Sequence, residues 1–348
     1  MTREEKNMLV SIIIPCYNSE ATIEKVVTMV MDEFRQHEEY DCDFFLVNDY
    51  SRDDTFGAIT RLAEKYPTVH GINLMRNFGQ HNALMAALNY ADGDYVLGMD
   101  DDMQTHPSQV FKLLDKMSEG YDLVYGQYAQ KKNGFFKNLT SKFNEVSSRI
   151  LLGRPKEIVS SNFWVITRAV RDEVILYKNF NPYVDGLFYR TTSNIGNVMV
   201  EHHKREVGTS NYTLRKLMRL WLAYFNYTVL PLRISFFLGV IFSMIGLVSA
   251  LVTIIRKLVT PDMTVGWASL MACLLIFSGV IMLILGILGE YIGKLILSIN
   301  GTPQYIIRET VNLDMPAHRR HDGTKRMESV RYHGLAENYI NREQTRQQ

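Results

Sequence analysis

Three adjacent carboxylates are the residues in this chain whose types and spacing most directly suggest chemistry. Asp100, Asp101 and Asp102 follow the apolar run 95–97, which has the composition of a buried strand. Their negative charges repel one another, and a divalent cation that takes oxygen ligands, such as Mg²⁺ or Mn²⁺, relieves that repulsion. Such a cation usually shares its ligands with substrate phosphates. The triplet therefore predicts a metal–diphosphate site, and a solvated acidic turn before a helix at Pro107 is the open alternative.

Polar residues also follow three earlier apolar runs, which suggests that the triplet belongs to a larger site. The runs are 10–14, 44–47 and 71–74, and helical patterns separate them and continue beyond them, at 21–36, 55–65, 81–90 and 108–118. Alternation of this kind predicts an α/β fold with a mostly parallel sheet covered on both faces. Ligands of such sheets bind beyond the carboxyl ends of the strands. The polar pairs at those ends are Tyr17-Asn18, Asn48-Asp49 and Arg76-Asn77.

Length and charge exclude several classes of protein. The chain has 348 residues and a formal net charge of +1, so it can bury a large core and lacks the basic surface of a nucleic-acid-binding protein. No Gly-x-Gly-x-x-Gly follows the first run, and no phosphate-binding loop with Gly-Lys-Ser or Gly-Lys-Thr occurs. The sequence therefore does not support a dinucleotide-binding or P-loop enzyme.

Two long uncharged segments in the last third predict membrane spans. Ile234–Ile255 has 22 residues without a charge and Val265–Leu288 has 24, so each helix would be roughly 33 to 36 Å long. That length crosses a hydrocarbon core of about 30 Å, whereas a buried helical hairpin in a soluble protein is the competing interpretation. The basic residues around the segments favour both termini on the cytosolic side. The small residues Gly239, Ser243 and Gly246 indicate either self-association or packing of the two spans.

These segments divide the chain into four predicted parts. Residues 1–212 form the cytosolic catalytic domain, and 213–232 form juxtamembrane helices, because 214–227 is basic on one side and apolar on the other. Residues 233–293 form the transmembrane hairpin, and 294–348 form a cytosolic C-terminal strand and polar tail. The predicted location is the cytoplasmic (inner) membrane, with a multi-pass topology.

Five motifs in order carry a resemblance to a known family. They are Ile-Ile-Pro-Cys-Tyr-Asn at 13–18, Val-Asn-Asp-Tyr-Ser-Arg-Asp-Asp-Thr at 47–55, Arg-Asn-Phe-Gly at 76–79, Asp-Asp-Asp-Met-Gln at 100–104 and Arg-Glu-Val-Gly-Thr-Ser at 205–210. Together they resemble the family 2 glycosyltransferases of GT-A fold. The resemblance covers about residues 9–310 and is to the polyprenyl-phosphate branch, which includes dolichol-phosphate mannose synthase and the undecaprenyl-phosphate sugar transferases.

The resemblance implies roles for individual residues, with Mg²⁺ or Mn²⁺ as the cofactor. Asp100 and Asp102 would contact the metal and the diphosphate of the nucleotide-sugar donor, with Gln104 close by. A second group would line the nucleoside pocket, where Asp49 accepts the N3 proton of uracil: Pro15, Tyr17, Asn18, Asp49 and Arg76. Arg205 would lie on a loop that closes over the phosphates, and Lys137 and Ser141 would hold the phosphate of the polyprenyl acceptor.

The implied reaction is an inverting displacement by a phosphate oxygen of the polyprenyl carrier. A phosphate monoester with a second pKa near ~6 is largely dianionic at neutral pH, so it needs no dedicated general base. Asp101, where the family commonly has Ala, is therefore interpreted as an auxiliary or solvated acid. Other departures from the family pattern lie in the nucleotide and acceptor regions, and they are Ser19, Tyr50, Arg52, Gln127 and Asn211.

Two other functions stay open at this level. A processive polysaccharide synthase shares the catalytic domain, but the Gln-x-x-Arg-Trp acceptor motif is missing and two spans are too few for a polymer channel. A catalytically inactive membrane scaffold of the same fold is the second alternative, which the intact Asp-x-Asp pattern disfavours. The favoured interpretation is transfer of one sugar, from a UDP-sugar, to undecaprenyl phosphate for cell-envelope glycan synthesis or modification.

Overall fold

An eight-stranded sheet forms the centre of the protein in a computed structural model that describes residues 7–128, 155–201, 230–259 and 266–313. In chain order the strands are β1 (Met8–Cys16), β2 (Tyr40–Asn48), β3 (Val69–Leu74), β4 (Tyr95–Gly98), β5 (Leu123–Tyr128), β6 (Trp164–Thr167), β7 (Ile195–Val200) and β8 (Ile307–Val311). Their order in the sheet is β7-β5-β6-β4-β1-β2-β3-β8.

Eight α-helices connect or follow these strands. They are α1 (Ile23–Phe34), α2 (Thr55–Lys65), α3 (Gln80–Leu88), α4 (Val110–Met117), α5 (Arg168–Val174), α6 (Val184–Thr191), α7 (Leu230–Val259) and α8 (Trp267–Ile299) within the described residues. A short 3₁₀ turn, Pro107–Gln109, precedes α4. The four helical patterns in the first 120 residues correspond to α1–α4, so the predicted α/β alternation is confirmed.

The centre of the sheet is parallel and apolar on both faces. β1 pairs in parallel with β2 and β4, and β2 pairs in parallel with β3. Ile12, Ile13 and Ile14 are all completely buried although consecutive side chains of a strand point to opposite faces. Helices must therefore cover both faces, which explains the continuous apolar run in the sequence. The parallel register also places the residues after β1, β2 and β4 at one edge of the sheet.

Two antiparallel strands extend this core: β6, which the sequence does not predict, and β8, which lies in the region 294–348 where a C-terminal strand is predicted. β6 pairs with β4 so that Trp164 lies opposite Gly98, and the amino end of β6 therefore reaches the carboxyl end of β4. β8 pairs with β3 in the same sense, with Ile307 opposite Leu74. The sheet is thus mixed, and two strand beginnings join the edge where the parallel strands end.

The two long helices follow the uncharged segments of the sequence. Among the described residues, Ile276–Ile299 in α8 is long and apolar enough to cross a membrane, and Leu232–Gly246 in α7 is apolar but shorter. Two spans therefore stay a prediction. The end of α8 contacts the segment between α5 and α6, because Ser298 Oγ donates a hydrogen bond to Asn179 Oδ1 at 2.7 Å. The chain beyond α8 then returns to the sheet as β8.

Gly98 provides a test of the packing between β4 and β6. A methyl group at this position would lie 2.4 Å from the Trp164 indole, a side chain that is only 2% exposed. We expect Gly98→Ala to lower the free energy of unfolding by about 1–3 kcal/mol, because the buried ring must move. Thermal unfolding followed by tryptophan fluorescence measures this change.

The matched control is Gly246→Ala in α7, where, apart from the helix's own backbone and the two neighbouring residues, no atom of the described residues lies within 4 Å of the added methyl group. That variant should unfold at or above the midpoint of the unmodified chain, since alanine favours helix more than glycine does. An unchanged midpoint for Gly98→Ala would contradict the packing described.

Candidate active site

The loops that follow β1, β2 and β4 share an unusual backbone conformation. Asn18, Tyr50 and Met103 have φ angles of 57°, 57° and 59°. Asparagine tolerates this left-handed region, but tyrosine and methionine adopt it at a cost. Backbone strain of this kind concentrates at functional sites, where the surrounding contacts hold it in place. Three strained loops at one edge of the sheet therefore mark this edge as the candidate site.

Hydrogen bonds join the loop after β1 to the loop after β2. The Asn18 backbone N–H donates to Ser51 Oγ at 3.0 Å, and the Arg52 N–H donates to Asn18 Oδ1 at 2.9 Å. Ser19 N–H donates to Thr55 Oγ1 at 2.8 Å. The two loops behave as one unit, and this unit carries the predicted nucleoside-binding residues of β1 and β2.

Asp49 joins the loop after β2 to the loop after β3. Its Oδ1 accepts the Phe78 N–H at 2.7 Å, and its Oδ2 accepts the Gly79 N–H at 2.8 Å. Burial raises the pKa of this carboxyl group, and the two backbone donors act in the opposite direction. Asp49 is 4% exposed and therefore has a structural role in addition to the predicted contact with uracil.

Asp100 and Asp102 line an open cleft of about 230 Å³ beyond the end of β4. Gln80 Nε2 donates to Asp100 Oδ1 and Asn162 Nδ2 donates to Asp100 Oδ2, both at 2.8 Å. Asp102 Oδ1 accepts the backbone N–H of Gln104 at 3.0 Å. The other lining residues are mainly hydroxyl, amide or aromatic in character, and the whole set is Asp100, Asp102, Gln104, Thr105, Tyr128, Ser160, Ser161, Asn162 and Phe163.

Asp101 differs from its two neighbours because the β1 loop binds its carboxylate, and of the two predicted roles, auxiliary or solvated acid, these contacts favour the auxiliary one. Its Oδ2 accepts hydrogen bonds from the hydroxyl of Ser19 and from the Tyr17 N–H. Burial raises the pKa of the Asp101 carboxyl group, whereas the bonds from Ser19 and Tyr17 lower it. The triplet thus divides into two cleft-lining carboxylates and one carboxylate that binds the β1 loop.

The donor set of the cleft fits a hard divalent cation whose coordination is completed by a substrate. Asp100 and Asp102 offer carboxylate oxygens, and Gln80 and Asn162 each donate a hydrogen bond to one oxygen of Asp100, as is usual for carboxylates that bind metals. Across the described residues, no three His, Cys, Asp or Glu side chains form a metal-binding group. Phosphate oxygens and water would therefore supply the remaining ligands, which suits Mg²⁺ or Mn²⁺.

The structure places the other predicted site residues as follows. Tyr17 is 48% exposed at the end of β1, next to half-buried Pro15, and Gln104 lines the cleft. Arg76 is exposed and its guanidinium lies 4.6 Å from the centre of the Phe78 ring. The predicted acceptor-phosphate residues, together with one departure from the family pattern, lie outside the described residues: Lys137, Ser141, Arg205 and Asn211.

Sequence reasoning missed Gln80, Asn162 and Tyr128. Gln80 directly follows the Arg-Asn-Phe-Gly motif, so its position was a usable signal. Asn162 precedes an antiparallel strand, and the rule that sites follow strand ends does not find residues at strand beginnings. The Tyr128 hydroxyl lies 2.5 Å from Thr105 Oγ1, a contact between distant segments that local patterns do not reveal.

Comparison with known proteins identifies the family of this chain. Residues 11–175 match the model of glycosyl transferase family 2, and residues 230–295 match the GtrB C-terminal hairpin. An uncharacterized glycosyltransferase, YkcC, of Bacillus subtilis is 30% identical over 312 residues, which cover 87% of this chain and 94% of the relative. The undecaprenyl-phosphate 4-deoxy-4-formamido-L-arabinose transferase of Proteus mirabilis is 30% identical over 91% of this chain and 98% of its own length.

Among solved structures, glucosyl-3-phosphoglycerate synthase of Mycobacterium tuberculosis, in complex with Mn²⁺, UDP-glucose and phosphoglyceric acid, has a TM-score of 0.44. It is 20% identical, and the match covers 63% of this chain and 79% of that one. The nearly full-length relatives and the two matched models together assign the present chain: it belongs to glycosyl transferase family 2, has the GT-A α/β fold and is a glycosyltransferase enzyme with a GtrB C-terminal hairpin.

Proposed function

We propose that this enzyme transfers one sugar from a nucleotide-sugar, a UDP-sugar, to a polyprenyl phosphate, undecaprenyl phosphate, at the cytosolic face of the cytoplasmic membrane. The observation that carries the proposal is the cleft at the end of β4, where Asp100 is held by Gln80 and Asn162 beside Asp102. A relative named as an undecaprenyl-phosphate sugar transferase aligns with 91% of the chain, which supports the choice of acceptor.

In the proposed complex, the nucleoside lies over the carboxyl ends of β1–β3 and the diphosphate lies at the cleft. The nucleoside pocket consists of Pro15, Tyr17, Asn18, Asp49 and Arg76. Asp100, Asp102 and Gln104 hold Mg²⁺ or Mn²⁺, which when bound offsets the negative charge that develops on the departing nucleoside diphosphate. Gln80 and Asn162 fix the Asp100 carboxylate, so that it need not reorganise as that charge develops.

The proposed chemistry is a single displacement. A phosphate oxygen of the polyprenyl carrier forms a bond to the anomeric carbon, and the bond from that carbon to the β-phosphate oxygen breaks. The nucleoside diphosphate leaves with the electron pair, and the configuration at the anomeric carbon inverts. Lys137, Ser141 and Arg205 would hold the acceptor phosphate in line, and the hydroxyl and amide groups of the cleft would orient the sugar.

The long helices support a membrane location for the proposed reaction. The donor is water-soluble and the acceptor phosphate lies at a membrane surface, so the catalytic part must sit beside the lipid headgroups. Helix α8 contains an apolar stretch that is long enough to cross a membrane. A hydrogen bond from Ser298 to Asn179 joins the end of this helix to the catalytic domain. We propose a two-span, multi-pass anchor with both termini cytosolic, and the products would serve cell-envelope glycans.

One prediction of the proposed function concerns the reaction itself. Detergent-purified enzyme with Mn²⁺, undecaprenyl phosphate and a panel of sugar nucleotides should release nucleoside diphosphate with one donor only, and release should require the lipid. Asp102→Ala should lower the rate at least about 100-fold, because charge stabilisation at the leaving group is lost. Folded enzyme that is silent with every donor of the panel would contradict the proposal and favour the scaffold alternative.

Another prediction of the proposed function concerns the hydrogen bonds that hold the Asp100 carboxylate. Asn162→Ala removes one of the two amide donors to this carboxylate, so we expect the Mn²⁺ concentration for half-maximal activity to rise about tenfold or more. A titration of activity against Mn²⁺ measures the change. Asn194→Ala is the matched control, since Asn194 Nδ2 bonds the Gly120 carbonyl away from the cleft, and its metal dependence should be unchanged. Equal curves for the unmodified and Asn162→Ala enzymes would refute this role.

A further inference from the structure

Asp101 is the carboxylate of the triplet that binds the protein rather than lining the cleft. The cleft is lined by Asp100 and Asp102, while the Asp101 Oδ2 accepts hydrogen bonds from the Ser19 hydroxyl and from the Tyr17 N–H, the latter at 3.4 Å. A negatively charged acceptor strengthens such bonds relative to a neutral one. Asp101 therefore connects the β4 loop to the β1 loop.

Ser19 is well placed to transmit this connection. It is 3% exposed, and its N–H donates to Thr55 Oγ1 in the β2 loop. Its carbonyl accepts the backbone N–H groups of Thr22 and Ile23, which open helix α1. The Ser19 backbone is thus fixed by two neighbouring elements, and its hydroxyl donates to Asp101 from that position.

We infer that Asp101 is a positioning residue that holds the β1 loop, with Tyr17 and Asn18, in register with the cleft carboxylates Asp100 and Asp102. This inference rests on the proposed function, in which the loop binds the nucleoside and the carboxylates bind the diphosphate of the same donor. Both partners stand at departures from the family pattern, because the family commonly has Ala at position 101 and often has Glu at position 19. The Ser19–Asp101 pair is therefore a feature of this chain's own sequence.

Three variants separate positioning from a simple effect of charge. Asp101→Ala removes both the charge and the acceptor, whereas Asp101→Asn removes the charge and keeps an oxygen that can accept from Ser19. Ser19→Ala removes the donor and leaves every charge in place. Positioning predicts that Asp101→Ala and Ser19→Ala behave alike and that Asp101→Asn is mild. A charge effect on the site predicts that Asp101→Ala and Asp101→Asn behave alike and that Ser19→Ala is mild.

The test measures the dissociation constant of the donor for the full chain in detergent, with the sugar nucleotide that supports nucleoside diphosphate release. We expect Asp101→Ala and Ser19→Ala each to weaken donor binding about tenfold. The double variant should bind the donor no more weakly than Asp101→Ala alone, because Asp101→Ala already removes the bond that Ser19→Ala removes. Asp101→Asn should stay within about threefold of the unmodified chain. Asp92→Ala replaces an exposed acid before β4 and is the control. Its dissociation constant for the donor should equal that of the unmodified chain.

A second readout does not depend on the donor. Hydrogen exchange of the backbone amides of residues 17–20 should accelerate several-fold in Asp101→Ala and Ser19→Ala relative to the amides of the central strands. Additive losses in the double variant, equal losses in Asp101→Ala and Asp101→Asn, or unchanged exchange would each overturn the inference. If the unmodified chain binds no nucleotide of the panel, the proposed function fails, and the exchange rates still decide whether Asp101 orders the loop.

Discussion

Mutual repulsion among the carboxylates at one edge of a parallel sheet is the constraint on which this site depends. The structure meets it with hydrogen bonds that run from loop to loop. Asn18 joins the β1 loop to the β2 loop, Asp49 joins the β2 loop to the β3 loop, Gln80 joins the start of α3 to Asp100, and Asp101 returns to the β1 loop. These contacts form a closed ring. Each carboxylate in it accepts hydrogen bonds from a neighbouring loop, so no loop of the ring is held by its own strand alone.

This ring of hydrogen bonds also explains how three loops can each keep a non-glycine residue in the left-handed backbone conformation. A non-glycine residue such as Tyr50 or Met103 in this region costs on the order of 1 kcal/mol or more. Cross-loop hydrogen bonds of about 1 kcal/mol each offset that cost. Tyr50 stands where the family pattern has glycine, so this chain keeps the loop geometry with a residue that disfavours it. The Tyr50 ring lies 5.7 Å from the Arg308 guanidinium of β8, a contact that a glycine could not make.

Sequence patterns predict the central part of the fold because its pairing is local in the chain. Strands β1–β4 are apolar runs separated by single helices, and the polar residues that follow them do meet at one edge. Strand β6 was missed because it has only four residues, and the predicted C-terminal strand was given no partner because β8 pairs with a strand far away in the chain. The contacts of Asp101 were missed for a related reason. Nothing in the sequence of an acidic triplet indicates which of its three carboxylates faces inward. Only the contact of Asp101 with Ser19 in the folded protein shows this.

The position of β8 has a consequence for how the protein is made. Glu309 of β8 accepts a hydrogen bond from Asn73 of β3, although the two residues are 236 positions apart. Between them the ribosome must add the rest of the catalytic part and both long helices, which takes on the order of tens of seconds. During that interval β3 is an edge strand with unpaired backbone groups, the kind of edge that invites aggregation. The sheet is therefore completed only after the helical hairpin has been synthesised.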